Sequence, residues 1–338
     1  MEGVFELGDL ILQSGAVLPR ARLAYETHGT LNARRDNAIV YPTAYAGRHA
    51  DNAMFIGEGR ALDPRTHFIV VPDLFGNGLS SSPSTTPTPH DRARFPLVTV
   101  HDNVAAQHRL LTEHLGVERV ALVVGYSMGA QQAFHWAAVH ADMVERMAAI
   151  CGSARTTPHN WLFLEGLKAA LQADGAWADG EYAAPPARGL RAFATVYAGW
   201  FASQAFYRAG LHLGTFVGQQ IPSMEVFLDL VAAIFGGFDA NDLLAMLATW
   251  QAADVSAHPA FGGDLDRALA TIRARALVMP CETDLYFPPE DSALAAAKMP
   301  RADLRVIPSI WGHLAGSPIL NPDDVRFVER ALATLLAR

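Results

Sequence analysis

The stretch VALVVGYSMGAQQAF, residues 120–134, limits the fold more than any other part of the chain. An apolar, β-branched run of strand type at 119–124 ends in Gly125-Tyr126-Ser127-Met128-Gly129, and helix-type residues continue to about His140. A serine between two glycines, with a strand before it and a helix after it, fits a sharp turn that lifts a hydroxyl above the end of a buried strand. Side chains two residues before and two after such a serine would collide with neighbouring backbone, so both positions need glycine. The following helix aims its free N–H groups at the same point, and the N–H of Met128 is a candidate oxyanion donor. The pattern G-x-S-x-G is weak alone; the strand–turn–helix context makes Ser127 a candidate nucleophile rather than a loop residue.

Around this turn the chain alternates strands and helices. FELGDLILQSG and RARLAYETHG read as strands, and so do NAIVYP and HFIVVPD. LFGNGLSSSPSTTPTPH is loop, and a helix is expected from Asp102 to Leu115, closed by Gly116. Several strands are continuous apolar runs, which predicts a mostly parallel sheet covered by helices on both faces. From 153 to 272 the rhythm changes. The blocks WLFLEGLKAALQA, GLRAFATVYAGWFASQAFYRAG, SMEVFLDLVAAIFGG and ANDLLAMLATWQAA are helix-like, with no convincing buried strand among them. Strand–helix alternation resumes with RALVMP, a helix near 289–298, ADLRVIP and a terminal helix at about 322–336. The expected organisation is a core domain of residues 1–152 and 273–338, interrupted by a helical lid at 153–272.

Composition agrees. Of the 338 residues, 51% are hydrophobic and 18% charged, enough for a large core. A net charge of −8 without a basic cluster excludes a nucleic-acid or anionic-membrane surface, and the expected partner is a small molecule. No apolar stretch is long enough to span a membrane and no signal peptide is evident. The only cysteines, Cys151 and Cys281, read as small buried hydrophobes, and a cytoplasmic location is expected.

A serine nucleophile needs a base and a carboxylate to hold it. Of thirteen histidines, His313 in RVIPSIWGHLAG sits in a glycine-flanked loop beyond the last strand, at the sheet edge that would carry Ser127. His108, His114, His135 and His140 fall on predicted helices; His28, His90 and His258 fall in loops or turns. RALVMPCETDLYFPPED offers Asp284 as the acid, with Glu282 as its rival. The chain order Ser127, Asp284, His313 is that of an α/β-hydrolase triad. A second oxyanion donor is expected in YPTAYAGRHAD, with the N–H of Tyr45 as the candidate. No metal-binding motif occurs, and the two glycines of FGNGLSS do not make a dinucleotide site.

With these residues placed, the chain resembles the homoserine O-acetyltransferase family of the α/β-hydrolase fold. LAYETHGTLNARRDNAIVYPTAYAG is similar to the family's opening strands and oxyanion loop. VTVHDNVAAQHRLLTEHLGVERVALVVGYSMGAQQAFHWAAVHADMVERM is similar to its elbow block, and TDLYFPPED with WGHLAG to its acid and base. The resemblance implies Ser127 as nucleophile, Asp284 as acid and His313 as base, a helical lid, and a homodimer made through lid helices. It also implies departures. Family members acting on homoserine carry an aspartate where this chain has Leu314, and an arginine and a tyrosine where it has Ala194 and Phe201; Arg191 is a possible shifted substitute for the arginine. A zwitterionic substrate needs its buried charges paired, so homoserine is a poor expectation.

Tyr126, Ala194, Phe201 and Leu314 are therefore candidate pocket residues. The aromatics Trp161, Phe163, Trp200, Phe201, Phe206, Tyr207 and Trp250 either line an acyl pocket or form ordinary helix–helix core. Three readings follow: a serine hydrolase of esters or thioesters needing no cofactor; an O-acyltransferase with acetyl-CoA or another acyl-CoA as co-substrate; and a ligand-binding protein that has lost catalysis. The complete triad argues against the last.

Overall fold

The computed structural model describes residues 1–317 and 320–337. Two long strands, β1 (Glu2–Ile11) and β2 (Val17–His28), pair antiparallel, and after them come β3 (Ala38–Val40), a one-turn helix α1 (His49–Asn52) and β4 (Phe68–Pro72). Helix α2 (Val100–Arg109) starts at a capping box, in which Thr99 accepts from the Asp102 N–H and the Asp102 carboxylate accepts from the Thr99 N–H. It runs on through a π turn at 110–114, ahead of Gly116 with φ +71°. The expected helix 102–115 is thus present, with its true start set by Thr99.

Next come β5 (Val120–Tyr126), α3 (Met128–Val139) and β6 (Arg146–Ile150). Between β6 and the next strand of the same sheet lie α4 (Pro158–Gln172), α5 (Ala187–Phe201), α6 (Gln204–Arg208), a small hairpin of β7 (Gly214–Phe216) and β8 (Gln219–Ile221), α7 (Met224–Gly236), α8 (Ala240–Gln251) and α9 (Leu265–Ala270). The expected helical blocks are all there, with two refinements. The long block 189–210 breaks at Ala202, because Ser203 turns extended and caps α6 by accepting from the Phe206 N–H. The hairpin was not foreseen: three-residue strands joined at Val217-Gly218, both in the left-handed region, carry too little apolar alternation to stand out. The chain closes with β9 (Arg275–Met279), α10 (Pro289–Ala296), β10 (Ala302–Leu304) and α11 (Pro322–Leu336).

The eight strands lie in the order β1-β2-β4-β3-β5-β6-β9-β10, antiparallel for β1, β2 and β4 and parallel from β4 onward. Successive strand residues alternate between two cores. Val70, Val123, Met147 and Val278 face α2 and α3; Ile69, Leu122, Ala148 and Leu277 face α11, which answers with Val328, Ala331, Leu332 and Leu335 at helical spacing. A third core, of aromatics, joins the helices between β6 and β9 to the carboxyl ends of the parallel strands. Loops from β3, β5, β9 and β10 therefore open onto one rim beneath those helices. Among the described residues no single helix is long and apolar enough to cross a membrane.

Candidate active site

At the end of β5 the backbone turns with Ser127 at φ 58°, ψ −124°, a sparsely populated conformation for a non-glycine residue. Its glycines have visible reasons. A Cβ on Gly125 would lie 2.0 Å from the carbonyl of Gly129, and one on Gly129 would lie 2.8 Å from the Pro42 carbonyl oxygen. Helix α3 is buried nearly all round, so the elbow sits on a rigid base.

The loop beyond β10 brings His313 over the serine: Nε2 lies 3.0 Å from Ser127 Oγ, and Nδ1 lies 2.9 Å from Asp284 Oδ2. The three side chains are almost closed to solvent, at 3% for Ser127, 3% for His313 and 4% for Asp284. Asp284 Oδ1 accepts the N–H groups of Tyr286 (2.8 Å) and Phe287 (3.1 Å), an Asx turn that fixes which oxygen faces the imidazole. Thr283 links the two loops, donating to Ser309 O at 2.7 Å and accepting the Gly312 N–H at 3.1 Å. The rival Glu282 is exposed, on the outer side of the same turn.

Three rings enclose the imidazole. Tyr126 stacks on it at 4.8 Å and donates its hydroxyl to His313 O; Tyr286 meets it edge-on at 4.8 Å and Phe287 at 5.6 Å. Burial raises the Tyr126 and Tyr286 phenols well above their usual range, so both stay neutral donors. Tyr286 and Phe287 were missed as site residues in the sequence, although their place directly after the acid was a usable signal. So was Tyr197, which contacts both Tyr286 and Tyr45.

Other histidines are placed elsewhere. His108 stacks on His140, His135 bonds the Gln131 carbonyl, His114 meets the Tyr25 hydroxyl and His258 lies against His101. Met128 begins α3, where the first N–H has no intrahelical acceptor. Tyr45 lies in the loop after β3, its ring beside Tyr197 and Trp250 and its hydroxyl donating to Leu243 O. Ala194, Phe201 and Leu314 belong to the aromatic core that holds Tyr45, Tyr286 and Phe287. Phe163 and Trp250 reach Tyr286, whereas Trp161 is exposed. Arg191 is not a substitute for the arginine absent at 194: it points outward, half exposed, and pairs with Asp229.

This geometry, a hydroxyl against an imidazole held by a carboxylate, can deprotonate the serine as it attacks an electrophile. Residues 37–316 match the family described as alpha/beta hydrolase fold. The chain belongs to that family. Within the α/β-hydrolase family it is 43% identical to an ethyl acetate hydrolase of Pseudomonas veronii, over 92% of this chain and 90% of that protein. The solved structure of the acetyl esterase MekB superposes with a TM-score of 0.94 at 39% identity, covering 100% of this chain and 97% of that one. The resemblance to homoserine O-acetyltransferases is borne out by the Chlorobium chlorochromatii enzyme, 31% identical over 90% of this chain and 87% of its own length. The protein is thus an α/β-hydrolase-fold enzyme, with named esterases nearer to it than that transferase.

Proposed function

We propose that the protein is an esterase that cleaves small acyl esters through an acyl-enzyme on Ser127. The observation that carries this reading is the single imidazole of His313 spanning the Ser127 hydroxyl and the Asp284 carboxylate. As Ser127 Oγ attacks the ester carbonyl, His313 Nε2 takes its proton, and Asp284 stabilises the imidazolium. The N–H groups of Tyr45 and Met128 hold the developing oxyanion. His313 then gives the proton to the departing alcohol. Water attacks the acyl-enzyme, its proton passes to His313, and the free acid leaves as Ser127 Oγ is reprotonated. No cofactor enters this sequence.

A small acyl group is supported by the buried cluster to which Tyr45, Leu74, Met128, Trp250, Tyr286 and Phe287 belong, since it includes the residue after the serine and two residues of the turn that holds the acid. The names of the esterase relatives support the same substrate class. Residues 153–272 act as a lid over this site. Homoserine is disfavoured because Leu314, Ala194 and Phe201 supply no charge or hydroxyl and Arg191 is engaged with Asp229. The transferase relative keeps one alternative open, transfer of the acyl group from an acyl-CoA to another alcohol.

The test is intact-protein mass spectrometry after mixing with 4-nitrophenyl esters of increasing acyl length, together with product analysis with and without added alcohol. We expect an acetyl adduct on Ser127 and free acid as the main product even at high alcohol. Wild-type turnover by Ser127→Ala would refute the reading; acyl transfer outrunning hydrolysis would favour the alternative. Two further parts of the proposal are a cytoplasmic location, which two buried free thiols suit, and a homodimer through the lid. The exposed apolar side chains Leu213, Val217, Met224, Val226 and Ile234 on the hairpin and α7 support that dimer, and light scattering on the purified protein tests it.

A further inference from the structure

Three fully buried polar side chains next to the elbow form a chain that the triad does not use. Trp136 Nε1 lies 2.8 Å from Gln107 Oε1, Gln107 Nε2 lies 2.6 Å from Gln132 Oε1, and Gln132 Nε2 lies 2.9 Å from Thr43 O and 3.3 Å from Met128 O. An indole N–H can only donate, so Gln107 must turn its oxygen to Trp136 and its amide N–H to Gln132. Gln132 is then left with its NH2 facing the two carbonyls, and the direction of the whole chain is fixed by one donor. Those carbonyls belong to the two segments that meet at the serine: Thr43 to the loop after β3, Met128 to the first turn of α3. The approach is close, because a Cβ on Gly129 would lie 2.8 Å from Pro42 O, which leaves no room for a side chain. The far side of the loop is also tied, since Thr43 accepts the Leu74 N–H at 2.9 Å and donates its own N–H to Pro72 O.

We infer that Gln132 is a positioning residue that sets the separation of the Tyr45 and Met128 N–H groups, with Gln107 and Trp136 fixing which way its amide points. The inference rests on the oxyanion assignment made above. Oxyanion donors work only when aimed at the place where the charge develops, and removal of one donor costs about 10²–10³ in rate. A donor moved out of line rather than removed costs less, about 10- to 100-fold, and the loss falls on the transition state rather than on ground-state binding.

The test compares Gln132→Met, close in shape but unable to donate, and Trp136→Phe, which frees Gln107 to flip, with the wild type. Four quantities are read: kcat and KM on 4-nitrophenyl acetate, Ki for a small alkylboronic acid that forms a tetrahedral adduct with Ser127, and Ki for acetate. The expected result for Gln132→Met is kcat down about 10- to 100-fold with KM and the acetate Ki within twofold, and the boronate Ki weakened in step with kcat. Trp136→Phe should show the same pattern at a few-fold, and it carries the test if Gln132→Met does not fold. A lowered melting temperature with wild-type kcat and boronate Ki in the folded variants would overturn the inference, leaving Gln132 a structural residue. Failure of the esterase reading would look different, as wild-type turnover in Ser127→Ala.

Discussion

The sharpest perturbation of this site is Asp284→Asn, because the structure dictates how the new amide must sit. Asp284 Oδ1 accepts two backbone N–H groups, from Tyr286 and Phe287, and only Oδ2 faces the imidazole. An asparagine there keeps its oxygen under the two N–H groups and turns its NH2 toward His313 Nδ1. A donor facing Nδ1 makes that nitrogen the acceptor, so the proton moves to Nε2, which then donates to Ser127 Oγ instead of accepting from it. Rotating the amide to recover the active tautomer leaves two buried N–H groups facing an NH2. At about 1–3 kcal/mol each this costs about 2–6 kcal/mol, or about 30-fold to above 10⁴-fold in rate. Loss of the negative charge beside the imidazolium adds to the penalty, so kcat on 4-nitrophenyl acetate should fall about 10³- to 10⁴-fold with KM little changed. Glu282→Gln, on the exposed side of the same turn, should keep the wild-type rate. Less than a tenfold loss in a folded Asp284→Asn, or a large loss in Glu282→Gln, would show that the acid has been misassigned.

Further outcomes follow from the same contacts. Gly316→Ala should lower kcat at least tenfold, since its Cβ would lie 2.5 Å from the Tyr126 ring that stacks on His313; steady-state kinetics on protein of verified fold checks this. Tyr126→Phe loses one hydrogen bond to His313 O and should cost about 1 kcal/mol of stability in urea unfolding. Burial pushes His135 down to about 4 and burial with its histidine neighbours pushes His140 to about 3, so the folded state binds fewer protons than the unfolded chain. Their contribution is complete above about pH 6.5 and is lost as pH falls toward 4, at up to about 1.4 kcal/mol per pH unit for each group. Asp242 opposes them: burial pushes it up to about 6, so it gains stability as pH falls from 6 toward 4. His140→Gln should therefore flatten the loss of melting temperature between pH 6.5 and 4.5; an unchanged slope would rule out His140 as a source of acid sensitivity.

Much of this site is legible in the sequence because glycines mark it. Gly125 and Gly129 flank Ser127, and Gly312 and Gly316 flank His313, each where a Cβ would strike backbone or an aromatic ring. The acid was harder to read. Asp284 and Glu282 lie two residues apart after the same strand, and only the turn closed by the Tyr286 and Phe287 N–H groups decides which carboxylate faces inward. Two of the three rings around the imidazole, Tyr286 and Phe287, escaped notice because a loop has no periodicity to tell which side chains point in. Arg191 shows the converse: its charge made it a candidate, but the face of α5 that it occupies sends it to solvent and to Asp229. The terminal helix expected at about 322–336 is α11, whose buried Val328, Ala331, Leu332 and Leu335 repeat at the pitch of a helix.

The break between α5 and α6 has a mechanical consequence. Ser203 there donates to Ile310 O at 2.5 Å, and Gly312, next to the base, lies so close to Ala202 and Ser203 that even a methyl group would strike their backbone. The corner between α5 and α6 and the loop that carries the base are therefore coupled, and a change of packing at Ala202 or Ser203 is felt at His313.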